Sequence, residues 1–162
     1  MKIFRVMIFF VLTSCHQFRH ADKHPGQKPE DGFYTDPGDW DDSRIPLIRP
    51  YELIKLKGQK DWGISLQTPM IDVAIHNVDS VNVIDSVIIV HSGETNLRGG
   101  VQVKQAWFVL LPGMKEENGY AENEQFVEKL TSLHIRSAFF VPDKLYSIFL
   151  TNKKLDWTKM AK

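Results

Sequence analysis

At 162 residues the chain is long enough for one domain with a single core and too short for two. Twenty Lys and Arg balance twenty Asp and Glu, so there is no charge surplus to attract nucleic acid, and no local basic run supplies one. The apolar fraction of 43% and charged fraction of 25% are those of an ordinary globular protein, which argues against wholesale disorder and against a multi-span membrane protein.

Lys2 and Arg5 give the N-terminus a positive start, and residues 6–12 form a short apolar run, the layout of a secretory signal. As a helix that run spans only ~10 Å at ~1.5 Å per residue, against ~30 Å of hydrocarbon, so it is not a comfortable membrane span. Cys15, the one cysteine, follows directly. Leu12, Thr13, Ser14 and Cys15 together resemble the lipobox of bacterial lipoproteins, in which an aliphatic and two small residues precede the modified cysteine. The resemblance covers these four residues and their charged and apolar preamble, and says nothing of the remaining chain. It implies cleavage before Cys15, acylation of its sulfur and attachment to the bacterial cell envelope. Lipoproteins of this family normally carry two or three acyl chains, and stable anchoring needs at least two. His16 stands where Asp favours inner-membrane retention in well-studied Gram-negative lipoproteins, so the resemblance leans toward the outer membrane. The competing reading is a conventional cleaved signal or an apolar strand with an incidental cysteine. With Cys15 accounted for, no thiol is left for an intramolecular disulfide, and stability rests on the core.

The chain therefore divides into a signal peptide (1–14), a tether (15–32) and a globular domain (33–162). The tether is rich in Pro, Gly, Gln, His and charge, with Phe18 its one large apolar residue, and buries too little to offset its ordering entropy. About 17 such residues reach ~23 Å. His16, His20 and His24 recur at four-residue spacing, which on a helix aligns three imidazoles; Pro25 and Gly26 oppose that helix, and the segment is read as a solvated spacer with no metal or other cofactor.

Residues 33–54 read as an extended, Pro-punctuated arm, with Trp40, Pro46, Leu47, Ile48 and Tyr51 laying it across the core. Asp36, Asp39, Asp41 and Asp42 invite comparison with a calcium loop, but the order of an EF-hand is missing, and Asp is also the common turn and cap residue. Strands are expected at 62–66 and 71–76. The strongest strand signal is 81–91, rich in β-branched residues, with 101–111 as its partner across a polar, Gly-rich loop. The run at 112–120 breaks the sheet. A helix follows over 121–134, with Phe126, Val127, Leu130 and Leu133 on one face; a strand over 135–141 and a second helix over 142–150 with Leu145, Ile148 and Phe149 inward complete the domain. The expected class is α+β: an antiparallel sheet of about four to six strands with C-terminal helices on one face.

Catalytic motifs are missing: there is no G-x-S-x-G elbow, H-E-x-x-H helix, P-loop or G-x-G-x-x-G fingerprint. The most enzyme-like feature is His91 to Glu94 at the end of the strong strand, for which a hairpin loop is the simpler explanation. Two readings follow. The first is a lipid-anchored, non-enzymatic binding module with a protein partner, as an accessory subunit or an immunity-type inhibitor; the latter is an analogy of size, anchor and layout. Its candidate contact surface is Trp40, Asp41, Asp42 and Arg44, because Trp and Arg are common interface anchors, against the simpler expectation that Trp40 is packed. The second is a small envelope hydrolase with a site near His91.

Overall fold

The computed structural model describes residues 31–67, 74–136 and 138–160. The signal peptide, Cys15 and the three tether histidines lie outside them, as do residues 71–73 of the strand expected at 71–76. The α+β class holds. Among the described residues ten strands form two four-stranded antiparallel sheets and a two-stranded ribbon, and three helices follow.

The first sheet is a meander of β1 (Asp42–Pro46), β2 (Glu52–Leu56), β3 (Gly63–Ser65) and β4 (Ala74–Ile75). The stretch expected as an arm thus pairs with itself from Asp42 onward as a hairpin, Arg44 opposite Ile54 and Ile45 opposite Leu53. Alternation then sends Ile45, Leu53, Ile64 and Ile75 inward, each fully buried.

The second sheet has the order β10 (Glu116–Tyr120), β9 (Ala106–Leu111), β6 (Val87–Ser92), β5 (Val78–Ile84). The strong β signal at 81–91 is two strands, not one. Asp85 and Ser86 adopt φ of 47° and 68°, the left-handed pair of a tight two-residue hairpin turn, and Ile84 meets Val87 across it. The expected pairing of this region with 101–111 holds as β6 on β9, Ile88 opposite Leu110. The loop between them carries its own ribbon, β7 (Thr95–Leu97) with β8 (Val101–Val103), closed by Gly99 and Gly100 at positive φ. The run at 112–120 does not break the sheet: after a 3-10 turn at Pro112–Met114 the chain reverses and returns as β10.

Both faces of this second sheet are covered. Ile88, Val90, Phe108 and Leu110 point toward the first sheet and share one core with Ile45, Leu53, Ile64 and Ile75. Val87, Ile89, Val109 and Leu111 point the other way, onto Phe126 and Leu130 of α1 (Asn123–Ser132). Val127, expected on that apolar face, is 46% exposed. The strand expected at 135–141 reduces to one bridge, in which Phe140 exchanges both backbone hydrogen bonds with Val81 on the outer edge of β5. Beside it buried Asn82 donates its side-chain N–H to the Ala138 carbonyl at 2.8 Å, so this edge is closed by irregular chain.

Helix α2 (Pro142–Asn152) packs on the first-sheet side, with Leu145 and Phe149 buried, while Ile148, expected inward, is 39% exposed. Its first turn is tied down by Asp143, whose Oδ1 accepts from Lys55 Nζ at 2.7 Å and from Trp62 Nε1 at 2.9 Å. The Lys55 bond first, then the indole bond, holds that carboxyl below its ordinary value. A short α3 (Trp157–Met160) ends the described chain. The two sheets are also joined by Tyr51, whose buried hydroxyl donates to Glu117 Oε1 at 2.8 Å; burial, then that bond, pushes the phenol well above its ordinary value.

Because Phe126 and Leu130 are the two buried residues of α1, Phe126→Ala is expected to cost about 3–5 kcal/mol. The check is a lower denaturant midpoint with an unchanged slope.

Candidate interaction surface

The four residues singled out around the acidic turn are separated by the fold into one exposed group and a brace that holds it. Trp40 is 81% exposed, the most exposed of the large apolar residues described. The expectation that it packs on the core is therefore corrected. Its neighbours in sequence are polar and turn-forming, and β1 begins only at Asp42, so the indole stands on the loop before the strand rather than on its inward face.

Asp42 and Arg44 build the brace. Asp42 Oδ1 accepts from the Asp39 N–H at 3.0 Å, and its Oδ2 accepts from Arg44 Nε at 2.8 Å. Arg44 reaches Glu52 on β2 at 3.7 Å, and its backbone N–H donates to the Pro37 carbonyl at 2.8 Å. Asp36 caps the turn by accepting from the Gly38 N–H at 3.0 Å. Gly38 has φ of 93°, and a Cβ there meets Asp42 Oδ1 at 2.5 Å, so the turn admits no larger residue without shifting. Asp36 and Asp42 thus act as turn and cap residues, the simpler of the two sequence readings. Arg44 is committed to ion pairs within the chain. Asp41 is exposed, and its carbonyl accepts the Lys57 N–H at 2.8 Å, which fixes the loop to the end of β2.

That bond brings in residues the sequence did not single out. Lys57 Nζ lies 5.6 Å from the Trp40 ring centroid, a cation over an aromatic face. Leu56, paired with Asp42 in the register, is 50% exposed. Trp40, Leu56, Lys57, Gln59 and Tyr146 line a small open cavity of about 250 Å³. Leu56 also borders a larger open groove of about 630 Å³ on the outer face of the first sheet, with Ile54, Ala74 and His76 among its walls and Gly63 in its lining. The only sequence signal for these residues is the unmatched outward position of Ile54 and Leu56 in β2. It becomes visible once the register is known.

The second candidate, His91, sits on β6 with its ring 5.2 Å from that of Trp107 and its Nδ1 3.5 Å from Asp79 Oδ2. The register shift between Val78 and Ser80 in β5 aims Asp79 at it. Ser92, next in sequence, points to the opposite face; it is fully buried and donates to the His76 carbonyl. Strand alternation thus separates the hydroxyl from the imidazole, and the stretch from His91 to Glu94 does not bring together a nucleophile and a base. His134 has φ of 59° and follows α1, where its N–H donates to the Thr131 carbonyl. Among the described residues no group of three or more His, Cys, Asp or Glu is placed to hold a metal ion.

Comparison with protein-family models, with curated proteins and with solved structures finds no match for this chain.

Asp42 is held below its ordinary value first by the Arg44 hydrogen bond and then by the Asp39 N–H. A depressed carboxylate stabilises the brace above the unfolded value of about 3.9 and ceases to do so as pH falls through the lowered folded value. The Asp39 amide proton is expected to move upfield in NMR spectra on acidification below about pH 4. In Asp42→Asn it should already be shifted at neutral pH.

Proposed function

We propose that the protein is a lipid-anchored lipoprotein of the bacterial cell envelope that acts as a non-enzymatic binding module, with the Trp40 surface as its contact for a protein partner. The anchor rests on the Leu12 to Cys15 signal. The binding reading rests chiefly on one observation: Trp40 is 81% exposed on a loop braced by five hydrogen bonds involving Asp36, Asp41, Asp42 and Arg44. Exposing an indole forgoes about 2–3 kcal/mol of burial, and a loop stiffened around it lowers the entropy lost on docking. Trp is also the residue type most enriched among interface hot spots, and Leu56 and the groove beside it extend the apolar contact.

An accessory subunit and an immunity-type inhibitor are the two forms such a module takes here, at the outer rather than the inner membrane by the His16 position. A small hydrolase centred on His91 is the competing reading, and the His91–Asp79 pair is the feature in its favour.

Intact mass and membrane partitioning of the chain expressed in a bacterium, beside Cys15→Ala, tests the anchor. A Cys15-dependent acyl mass with loss of residues 1–14 is expected, and a soluble full-length chain overturns it. For the contact, Trp40→Ala is expected to weaken capture of the partner crosslinked in cells by at least about 2 kcal/mol, roughly thirtyfold. The same change should leave stability within about 0.5 kcal/mol. Unchanged capture with Trp40→Ala, together with hydrolytic activity lost in His91→Ala, establishes the competing reading instead.

A further inference from the structure

Three stretches distant in sequence meet beside Pro46, at the end of β1 away from Trp40. The first is the start of the described chain, Asp31 to Thr35. The second is the tip of the hairpin between β1 and β2, where Arg49 pairs with Asp31, lies 4.9 Å from the Phe33 ring centroid, and donates its N–H to the Tyr34 hydroxyl at 3.4 Å. The third is the C-terminal segment: Lys154, Leu155 and Trp157 line one open cavity of about 290 Å³ together with Asp31, Tyr34 and Pro46. Pro46 and Asp42 are the two ends of β1, about 13 Å apart at ~3.3 Å per residue, and Trp40 lies beyond Asp42.

This end is amphipathic and carries Arg49, Lys153, Lys154 and Lys159 against Asp31, Asp156 and, opposite Pro46, Glu52, so its cationic surplus lies in the two lysines after α2. Arg49 and Lys159 are 57% and 82% exposed in their side chains, each paired with one Asp. Lys153 and Lys154 are exposed, and no ion pair among the described residues involves either. Tyr34 is 39% exposed and Trp157 half-buried, ring types that settle with the apolar body inward and the polar edge at a water interface. Cys15 lies 16 positions before Asp31, so an acyl anchor on it joins the described domain at this face.

We infer that the face built from Tyr34, Arg49, Lys153, Lys154 and Trp157 seats on anionic lipid headgroups and so directs the Trp40 surface away from the membrane. The inference rests on the lipoprotein reading, since it is the anchor that concentrates this face at the surface; the lysines then select orientation, each adding a favourable contribution within a Debye length of the headgroups.

The experiment uses the acylated full chain in vesicles of one part phosphatidylglycerol to three parts phosphatidylcholine, and in phosphatidylcholine alone. Acylation of Cys15 leaves an added cysteine as the reactive thiol. A fluorophore is placed by Asn152→Cys beside the basic face, or by Lys60→Cys in the loop near Trp40, with a headgroup-linked quencher in the lipid. Quenching at 152 is expected to exceed that at 60 by at least about threefold in the anionic vesicles. The difference should shrink in phosphatidylcholine alone and disappear with Lys153→Gln and Lys154→Gln combined. Equal quenching at both positions, stronger quenching at 60, or an asymmetry indifferent to lipid charge and to the lysines overturns the inference while leaving the anchor intact. A mass without acyl chains overturns both. Unchanged thermal midpoints separate lost orientation from lost folding in the lysine variant.

Discussion

Burial of β6 and β9 on both faces is the constraint on which the rest of the molecule depends. Ile88, Ile89, Val90, Val109 and Leu110 are all fully buried, although neighbours along a strand point to opposite sides. Each is worth about 1.5–3 kcal/mol when removed from water, so the two strands demand apolar cover twice over. One layer is not enough: α1 supplies it with Phe126 and Leu130, and the first sheet supplies it with Ile45, Leu53, Ile64 and Ile75.

Satisfying that demand determines where the charged and polar groups go. Among the described residues the first sheet is packed on its inner face, and of its outward residues Ile54 is half-buried and Leu56 exposed. The links that hold the layers in register are few and polar. Tyr51 reaches Glu117 across the sheets, and Asp143 gathers Lys55 and Trp62 at the start of α2. Tyr51 makes its bond from a buried position, whereas the Asp143 carboxylate is largely exposed, and each link joins elements far apart in the chain. The loop carrying Trp40 is held by shorter-range bonds of the same kind, which is why an indole can remain in solvent without the loop collapsing onto the core.

The two ends of β1 then acquire different characters. Beyond Asp42 stands an aromatic anchor with a cation over its ring; beyond Pro46 lie the hairpin tip, the start of the domain and the last helix, with their lysines and amphipathic rings. A strand is a rigid spacer, so whatever touches one end is kept about a strand's length from whatever touches the other.

The chain by itself determined the parts that depend on local pattern. The β-branched composition of 81–91 and 101–111 marks the central strands, the spacing of Phe126 and Leu130 marks α1, Pro142 marks the start of α2, and the Leu12 to Cys15 order is carried wholly by sequence. The missed features all turn on geometry that local pattern does not encode. Asp85 and Ser86 are not the usual Asn-Gly of a two-residue turn, so the hairpin passed for one long strand. The segment 116–120 has too little apolar character to announce β10, and its pairing with β9 comes from the reversal at Pro112–Met114. Pro46 and Pro50 in the 33–54 stretch masked the first hairpin, because proline at a strand end and in a turn looks, in sequence, like proline in an irregular arm. At the candidate surface Trp40, Asp41, Asp42 and Arg44 were legible as residue types, but only tertiary structure decided that Trp40 stands in solvent and that the Asp42–Arg44 pair braces its loop. Exposure is a property of how layers close over one another, and closure depends on partners tens of residues away.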